Sequence, residues 1–158
     1  MNSSFNFQEV FLYRDVLLKG LWLTIQLTLV SSVLGFLFGI VCALAKDSSV
    51  AAIRVLATAY IEVIRNTPFL VQLFFLFFGL SSLGLKLSET QAAILAMTVN
   101  LSAYAAEIIR AGIQSIHRGQ FEAGLSLGMT RGQVFRHVIL IPAVEAVYPA
   151  LTSQFIIV

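Results

Sequence analysis

Four long apolar runs, separated by polar segments, dominate the sequence. The runs cover residues 20–45, 66–85, 88–106 and 138–158. A helix needs about 20 mostly apolar residues to cross the hydrocarbon core, where only helices or closed barrels satisfy their backbone. These runs are too continuous for the alternating strands of a barrel. The pattern predicts an all-α, polytopic helical membrane protein that forms a single domain over residues 1–158.

Composition supports a membrane protein and excludes several other classes. Hydrophobic residues make up 58% of the chain and charged residues 11%, whereas ordinary soluble domains have about 45–50% and about 25%. A formal net charge of +2, scattered along the chain, does not form a nucleic-acid-binding surface. The single cysteine, Cys42, excludes an internal disulfide, and His117 and His137 lack metal-type neighbours. We therefore expect no metal site and no nucleic-acid partner.

The Lys and Arg residues predict the orientation of the chain, since cytoplasmic loops are enriched in them. If the first run passes inward, seven of these residues lie inside and three outside. The inside set is Lys46, Arg54, Arg65, Arg110, Arg118, Arg131 and Arg136. This places the N-terminus outside and residues 110–136 in the cytoplasm. Val158 then lies outside in an apolar stretch, so we expect the sequence to be a fragment of a longer chain.

The glycines of this cytoplasmic segment predict two short helices at an angle. Gly128 is placed to take the left-handed conformation that ends a helix beginning near Gly119 or Gln120. Thr130 and Gln133 have the spacing of a capping box, so a second helix is expected to begin there.

The first of these helices carries an apolar stripe. Phe121, Leu125 and Met129 recur at helical spacing, with Ala123 and Leu127 alongside. Exposed in the cytosol, such a stripe is an incomplete surface that fits a groove on a partner. Alternatively, it packs back onto the chain's own helix ends, and the residues alone leave both interpretations open.

The stretch QFEAGLSLGMTRGQVFRHVIL, residues 120–140, resembles the EAA loop of the membrane subunits of ABC importers. In that loop Glu-Ala-Ala and a Gly four positions beyond the third residue contribute to the contact with the ATP-hydrolysing subunit. The matching residues are Glu122, Ala123 and Gly128. Gly124 replaces the third-position Ala, and Pro142 comes one place later than the family's Leu-Pro.

Two further stretches resemble the polar amino acid branch of these importers. YIEVIRNTPFLVQLFFLFFGL, residues 60–80, is similar to the branch's Arg-Gly-Thr-Pro signature, with Asn66 in the Gly place. The residues that match this signature are Arg65, Thr67 and Pro68. AYAAEIIRAGIQSIHRGQ, residues 103–120, resembles the branch's Ala-Tyr-x-x-Glu-x-x-Arg segment. The residues that match this segment include Tyr104, Glu107 and Arg110.

The resemblance implies the transmembrane domain of a type I ABC importer, without its last membrane helix. It implies two copies of an ABC ATPase subunit that hold ATP and Mg, and a second membrane subunit that is the same or related. It also implies an external binding protein that delivers a polar amino acid, and a location in the lipid of the bacterial inner membrane. The chain has no Gly-x-x-x-x-Gly-Lys-Ser/Thr loop, so we expect no ATPase site on it.

The same resemblance suggests roles for the cytoplasmic residues. The residues it assigns to ATPase coupling are Phe121, Glu122, Ala123, Leu125, Gly128 and Met129. Alternatively, Glu122 only stabilises the start of its own helix. Two pairs at i, i+3, Glu62 with Arg65 and Glu107 with Arg110, either solvate helix ends or brace a gate.

Three polar residues within the apolar runs are candidates for a substrate pathway. Ionisable and amide groups at membrane depth are costly and usually face a bundle interior or a wet cavity. Glu145 is the strongest candidate, since its carboxylate could meet the ammonium or guanidinium group of an amino acid, and Asn100 and Gln154 are weaker ones. Alternatively, Glu145 pairs with a partner subunit or lies near the inner interface.

Two other classes of function fit the sequence less well than transport does. A membrane-embedded enzyme would need a nucleophile and base, or a metal set, at membrane depth, and the sequence does not supply one. A channel-like or structural membrane component would not need a docking helix in the cytoplasm. The sequence therefore favours an importer permease.

Overall fold

The computed structural model describes residues 11–157, and these residues form helices joined by short turns, with no β-strand among them. We number the helices in chain order as α1 (Arg14–Lys46), α2 (Ala51–Arg65), α3 (Phe69–Ser82), α4 (Glu89–Gln114), α5 (Arg118–Ser126) and α6 (Arg131–Ile156). A π-helical turn interrupts α3 at Phe75–Gly79 and α6 at Phe135–Ile139. Residues 1–10, and Val158 at the end of the last apolar run, lie outside the described residues.

Helices α1, α4 and α6 are each long and apolar enough to cross a membrane. Helices α2 and α3 meet that test only as a pair, and they are bent by 109° at the break between them. The apolar pattern predicted one span over residues 66–85, but the helix there, Phe69–Ser82, is shorter than the ~20 residues of a full span. The break falls at Pro68, whose extended backbone (φ −56°, ψ 138°) caps the start of α3, and a proline lacks the N–H that would continue α2.

Helices α1 and α4 pack side by side and run in the same direction. The residue numbers of the contacts increase along both helices, from Ser31 with Ile94 to Gly39 with Ala105. The packing is close because the facing residues are small: a Cβ on Gly39 would lie 2.8 Å from the Cβ of Ala105 and 3.0 Å from the carbonyl oxygen of Ser102. Small residues are the usual way in which membrane helices approach each other closely.

Helix α6 runs in the opposite direction along α4. Gly112, near the end of α4, packs against Val147, while Tyr104, earlier in α4, shares a cavity with Gln154. Since α1 and α4 are parallel, their last residues lie at the same side of the bundle. The charged residues at those ends are thereby brought together.

Few large side chains are buried within the described chain. The largest fully buried ones are Ile61, Leu101 and Val134, and most other core residues are Ala, Gly or Ser. Large apolar side chains on α1, such as Trp22 and Leu44, are more than half exposed. Such an outward apolar surface suits contact with lipid or with neighbouring membrane helices.

Candidate functional site

Helix α5 ends as the glycine pattern predicted. Gly128 has φ +81°, and the N–H of Met129 donates a hydrogen bond to the carbonyl of Gly124, which is a bond of the Schellman motif. The capping box is also confirmed: the Thr130 N–H donates to Oε1 of Gln133 at 2.8 Å, and the Gln133 N–H donates to Oγ1 of Thr130 at 3.4 Å. The chain therefore turns sharply from α5 into α6.

Part of the apolar stripe predicted on α5 is half-buried in the structure, and the rest is exposed. The helix packs against the first turns of α6, and Phe121 and Met129 are half-buried there. Leu125 is 37% exposed. The residues that form the open face of the helix are Glu122, Ala123 and Leu127. Leu127, the C-cap residue of the helix, is 82% exposed, so this exposed surface, which we call the α5 outer face, includes both an apolar side chain and a carboxylate.

Gly124 lies on the inner face of α5 and is buried. A Cβ at this position would lie 2.8 Å from Cγ2 of Val134, which is itself fully buried in α6. The third-position alanine of the resembling loop would therefore require Val134 to move. Glycine at position 124, where the resembling loop has alanine, allows α5 to approach α6 closely.

Five charged side chains at the ends of α1, α2 and α4, namely Lys46, Asp47, Arg65, Glu107 and Arg110, form what we call the ion cluster. Glu107 is at its centre: its Oε1 lies 2.5 Å from Nζ of Lys46 and 3.8 Å from Nη1 of Arg110, and its Oε2 lies 3.6 Å from Nη1 of Arg65. Arg110 also donates to Oδ1 of Asp47 from Nε at 3.1 Å and from Nη2 at 2.9 Å. Charge-assisted bonds of this kind are stronger than neutral ones. The ion cluster thus ties three helices together.

Arg65 has a different partner from the one that its sequence neighbours predicted. The i, i+3 pairing with Glu62 is wrong, because the guanidinium of Arg65 turns towards Glu107 of α4 and Glu62 is exposed. The guanidinium carbon also lies 5.5 Å from the centre of the Tyr104 ring, within the range of a cation–π contact. The other predicted pair, Glu107 with Arg110, is present. Arg65 of the Arg-x-Thr-Pro signature therefore contacts Tyr104 and Glu107, which belong to the second resembling segment.

A cavity of about 460 Å³ opens at the break between α2 and α3, and we call it the break cavity. The residues that line it are Arg65, Asn66, Thr67, Pro68, Phe69, Asn100, Tyr104 and Gln154. It joins the Arg-x-Thr-Pro signature to two of the three predicted pathway residues, Asn100 and Gln154. A volume of this size lies within the range of small-molecule sites.

Gln72 holds the wall of the break cavity. Its side chain is buried, and its Nε2 donates to the backbone carbonyls of Ile64 and Thr67, both at 2.8 Å. Its Oε1 accepts a bond from Nδ2 of Asn100 at 3.2 Å. A buried amide satisfied on both sides fixes the local backbone. Gln72 therefore fastens the break between α2 and α3 to α4.

Glu145 lies apart from the other two pathway candidates. It is exposed on α6 and does not line the break cavity, which Gln154 of the same helix reaches. The two positions are nine residues apart, which corresponds to about two and a half helical turns and places the two side chains on opposite sides of the helix. The structure thus brings Asn100 and Gln154 together and leaves Glu145 elsewhere.

Lys46, Asp47 and Gln72 are functional candidates that the sequence did not reveal. Lys46 and Asp47 lie more than fifty positions from their partners on α4, and nothing in the local sequence marks them as more than a charged helix end. Gln72 could have been noticed, since it is a polar residue within the apolar stretch LVQLFFLFFGL.

Membrane-length helices, a bent helix pair beside a cavity and a short helix between two spans define a multi-pass membrane subunit. The model of the family described as "Binding-protein-dependent transport system inner membrane component" matches residues 35–158, and the chain belongs to this family. Its relatives are named as permease proteins of amino acid transport systems.

One relative is the probable glutamine ABC transporter permease protein GlnM of Bacillus subtilis (strain 168), which is 38% identical over 99% of this chain and 70% of its own length. Another is the L-cystine transport system permease protein TcyB of the same organism, 39% identical over 91% of this chain and 62% of its own length. A crystal structure of an amino acid ABC transporter with histidines has a TM-score of 0.90 and 42% identity, covering 98% of this chain and 72% of that one. The chain spans 62–70% of the length of these two curated relatives.

Proposed function

We propose that the chain forms part of the membrane passage of an ATP-driven importer for a polar amino acid and couples that passage to a separate ATPase subunit. The observation that supports this most is the course of α4. This helix contributes Asn100 and Tyr104 to the break cavity and Glu107 and Arg110 to the ion cluster. It then continues through residues 115–117 directly into α5. A displacement of α5 would therefore reach the cavity through this short non-helical link and α4.

The α5 outer face is the proposed docking surface for the ATPase. Leu127 would fill an apolar depression on the partner, and Glu122 would meet a cationic or amide group beside it. Phe121 and Met129, which are half-buried, and Gly128, which turns the chain from α5 into α6, would keep this face in position. Two ATPase subunits with their ATP and Mg, a second membrane subunit and an external binding protein complete the proposed importer.

The proposed orientation has the N-terminus outside and α5 in the cytoplasm of a bacterium, with the helices in its inner membrane. The excess of Lys and Arg at the ends of α1, α2 and α4 and in residues 110–136 supports it. In this orientation the ion cluster lies at the cytoplasmic side, between the break cavity and the ATPase.

Co-purification of the ATPase subunit with the full chain tests this proposal. Leu127→Arg combined with Glu122→Arg should reduce the ATPase recovered with the tagged permease by about tenfold or more, because charge reversal and loss of an apolar contact both act at the centre of the interface. The control for Glu122→Arg is Glu89→Arg, which makes the same charge change as that single substitution at an exposed position at the start of α4. The control should recover as much ATPase as the unaltered chain. Equal recovery with all variants would contradict the coupling role of α5.

A further inference from the structure

The formal charge in the lining of the break cavity is positive only. Among the residues that line it, Arg65 alone has a formal charge. The polar remainder is neutral and includes the amides of Asn66, Asn100 and Gln154. Glu145, the carboxylate expected to receive a cationic group, is not part of the lining. A ligand with a cationic side chain would therefore meet a like charge in the cavity and no carboxylate among the described residues that line it.

We propose that the break cavity binds an amino acid with an uncharged polar side chain, whose α-carboxylate pairs with Arg65. This inference rests on the proposed transport function and names the substrate class for it. The guanidinium has five N–H donors in a planar fork that matches a carboxylate, so a single arginine can hold the α-carboxylate with two parallel bonds. With that one cation occupied, an acidic side chain has no second partner in the lining.

Arg65 can turn to the substrate without leaving a buried charge unpaired. Its contact with Glu107 is 3.6 Å long, and its side chain is 42% exposed. Glu107 keeps Lys46 at 2.5 Å and Arg110 at 3.8 Å when Arg65 leaves. The stacking contact with Tyr104 holds the guanidinium near the cavity. Exchange of Arg65 between Glu107 and a carboxylate is therefore compatible with the ion cluster.

The amides of the lining suit a carboxamide or hydroxyl side chain. Asn100 uses one amide hydrogen for Gln72, so its Oδ1 is placed to accept a bond from a ligand. Asn66 adds a further amide where the resembling signature has glycine. Its φ of −91° lies outside the left-handed region, so the backbone does not require glycine there. We assign Asn66 to side-chain selection.

The test measures binding of radiolabelled L-glutamine to the purified, detergent-solubilised permease, with and without its ATPase subunit and without an external binding protein. Unlabelled L-glutamine should displace the label at least about tenfold more effectively than L-arginine, L-glutamate or the α-amide of L-glutamine, since each competitor lacks a match to Arg65 or adds a charge. Arg65→Gln should weaken binding by about tenfold or more, and Arg65→Lys should weaken it less.

Glu62→Gln is the control, because it removes an exposed carboxylate one helical turn before Arg65 and leaves the ion cluster and the cation of the cavity in place. It should bind L-glutamine as well as the unaltered chain does. Asn66→Gly should reduce the difference between L-glutamine and L-arginine in how effectively each displaces the label. Equal displacement by L-arginine, or equal losses in Arg65→Gln and Glu62→Gln, would overturn the inference. Loss of ATPase association with glutamine binding intact would count against the coupling proposal alone.

Discussion

Replacing Gly39 with leucine is expected to remove most of the folded protein. Gly39 lies where α1 and α4 touch, and even a Cβ there would be 3.0 Å from the backbone oxygen of Ser102 and 3.4 Å from the backbone nitrogen of Ala106. Backbone atoms cannot rotate away as a side chain can, so the helices must separate. Overpacking of this kind costs about 3 kcal/mol of unfolding free energy. The effect is measured as a lower apparent Tm of the detergent-solubilised protein. Size-exclusion chromatography measures the smaller amount of folded protein.

Gly20→Leu is the control for this experiment. Gly20 is on the same helix, but a Cβ there meets no heavy atom within 4 Å. Leucine should leave the apparent Tm unchanged or raise it, because it favours a helix by up to about 1 kcal/mol over glycine. Similar losses for the two variants would mean that added bulk anywhere on α1 is harmful, and the close contact between α1 and α4 would not be its cause.

Glu107→Lys is expected to disrupt the ion cluster and to abolish transport. The change replaces the central carboxylate and leaves Lys46, Arg65 and Arg110 beside a fourth cation, with Asp47 as the remaining carboxylate of the cluster. Breaking a fully buried pair costs about 3–5 kcal/mol, and partial exposure of these side chains reduces the expected loss to about 2 kcal/mol. Because α4 also connects α5 to the break cavity, uptake into proteoliposomes should fall by more than the amount of folded protein does.

Glu62→Lys makes the same change of charge on the exposed side of α2. It should alter the unfolding free energy by no more than about 0.5 kcal/mol and leave uptake near that of the unaltered chain. If both variants lose uptake equally, the net charge of this surface matters and the position of Glu107 does not. If neither loses it, the ion cluster has no part in transport.

Local features were predictable from sequence because they depend on a few neighbouring residues. Gly128 and the pair Thr130 and Gln133 determine where α5 ends and α6 begins, through backbone conformation and capping within a single turn. The apolar runs likewise indicated four membrane spans, and three of them coincide with helices long enough to cross a bilayer, because the length of a membrane helix follows from the thickness of the bilayer.

The prediction failed where two distant segments decide the outcome. The sequence paired Arg65 with Glu62, one helical turn away, since local spacing is all that a sequence displays. Helix α2 instead packs against α4, where the hydroxyl of Tyr60 lies 2.7 Å from Oγ of Ser102, and Arg65 at the end of α2 comes within 3.6 Å of Glu107. The sequence also did not show which residues of the apolar stripe on α5 are buried and which are exposed. That depends on how closely Gly124 lets α5 approach Val134.

The sequence by itself determined the class of fold, the main membrane helices and the turn after α5, since hydrophobic length and backbone preference act locally. Only the tertiary structure decided which polar residues share a space. Parallel packing of α1 and α4 places Lys46 beside Glu107, and the break at Pro68 opens the cavity that joins Arg65 to Asn100. Such pairings depend on helix directions and crossing geometry, which the order of residues along the chain does not specify.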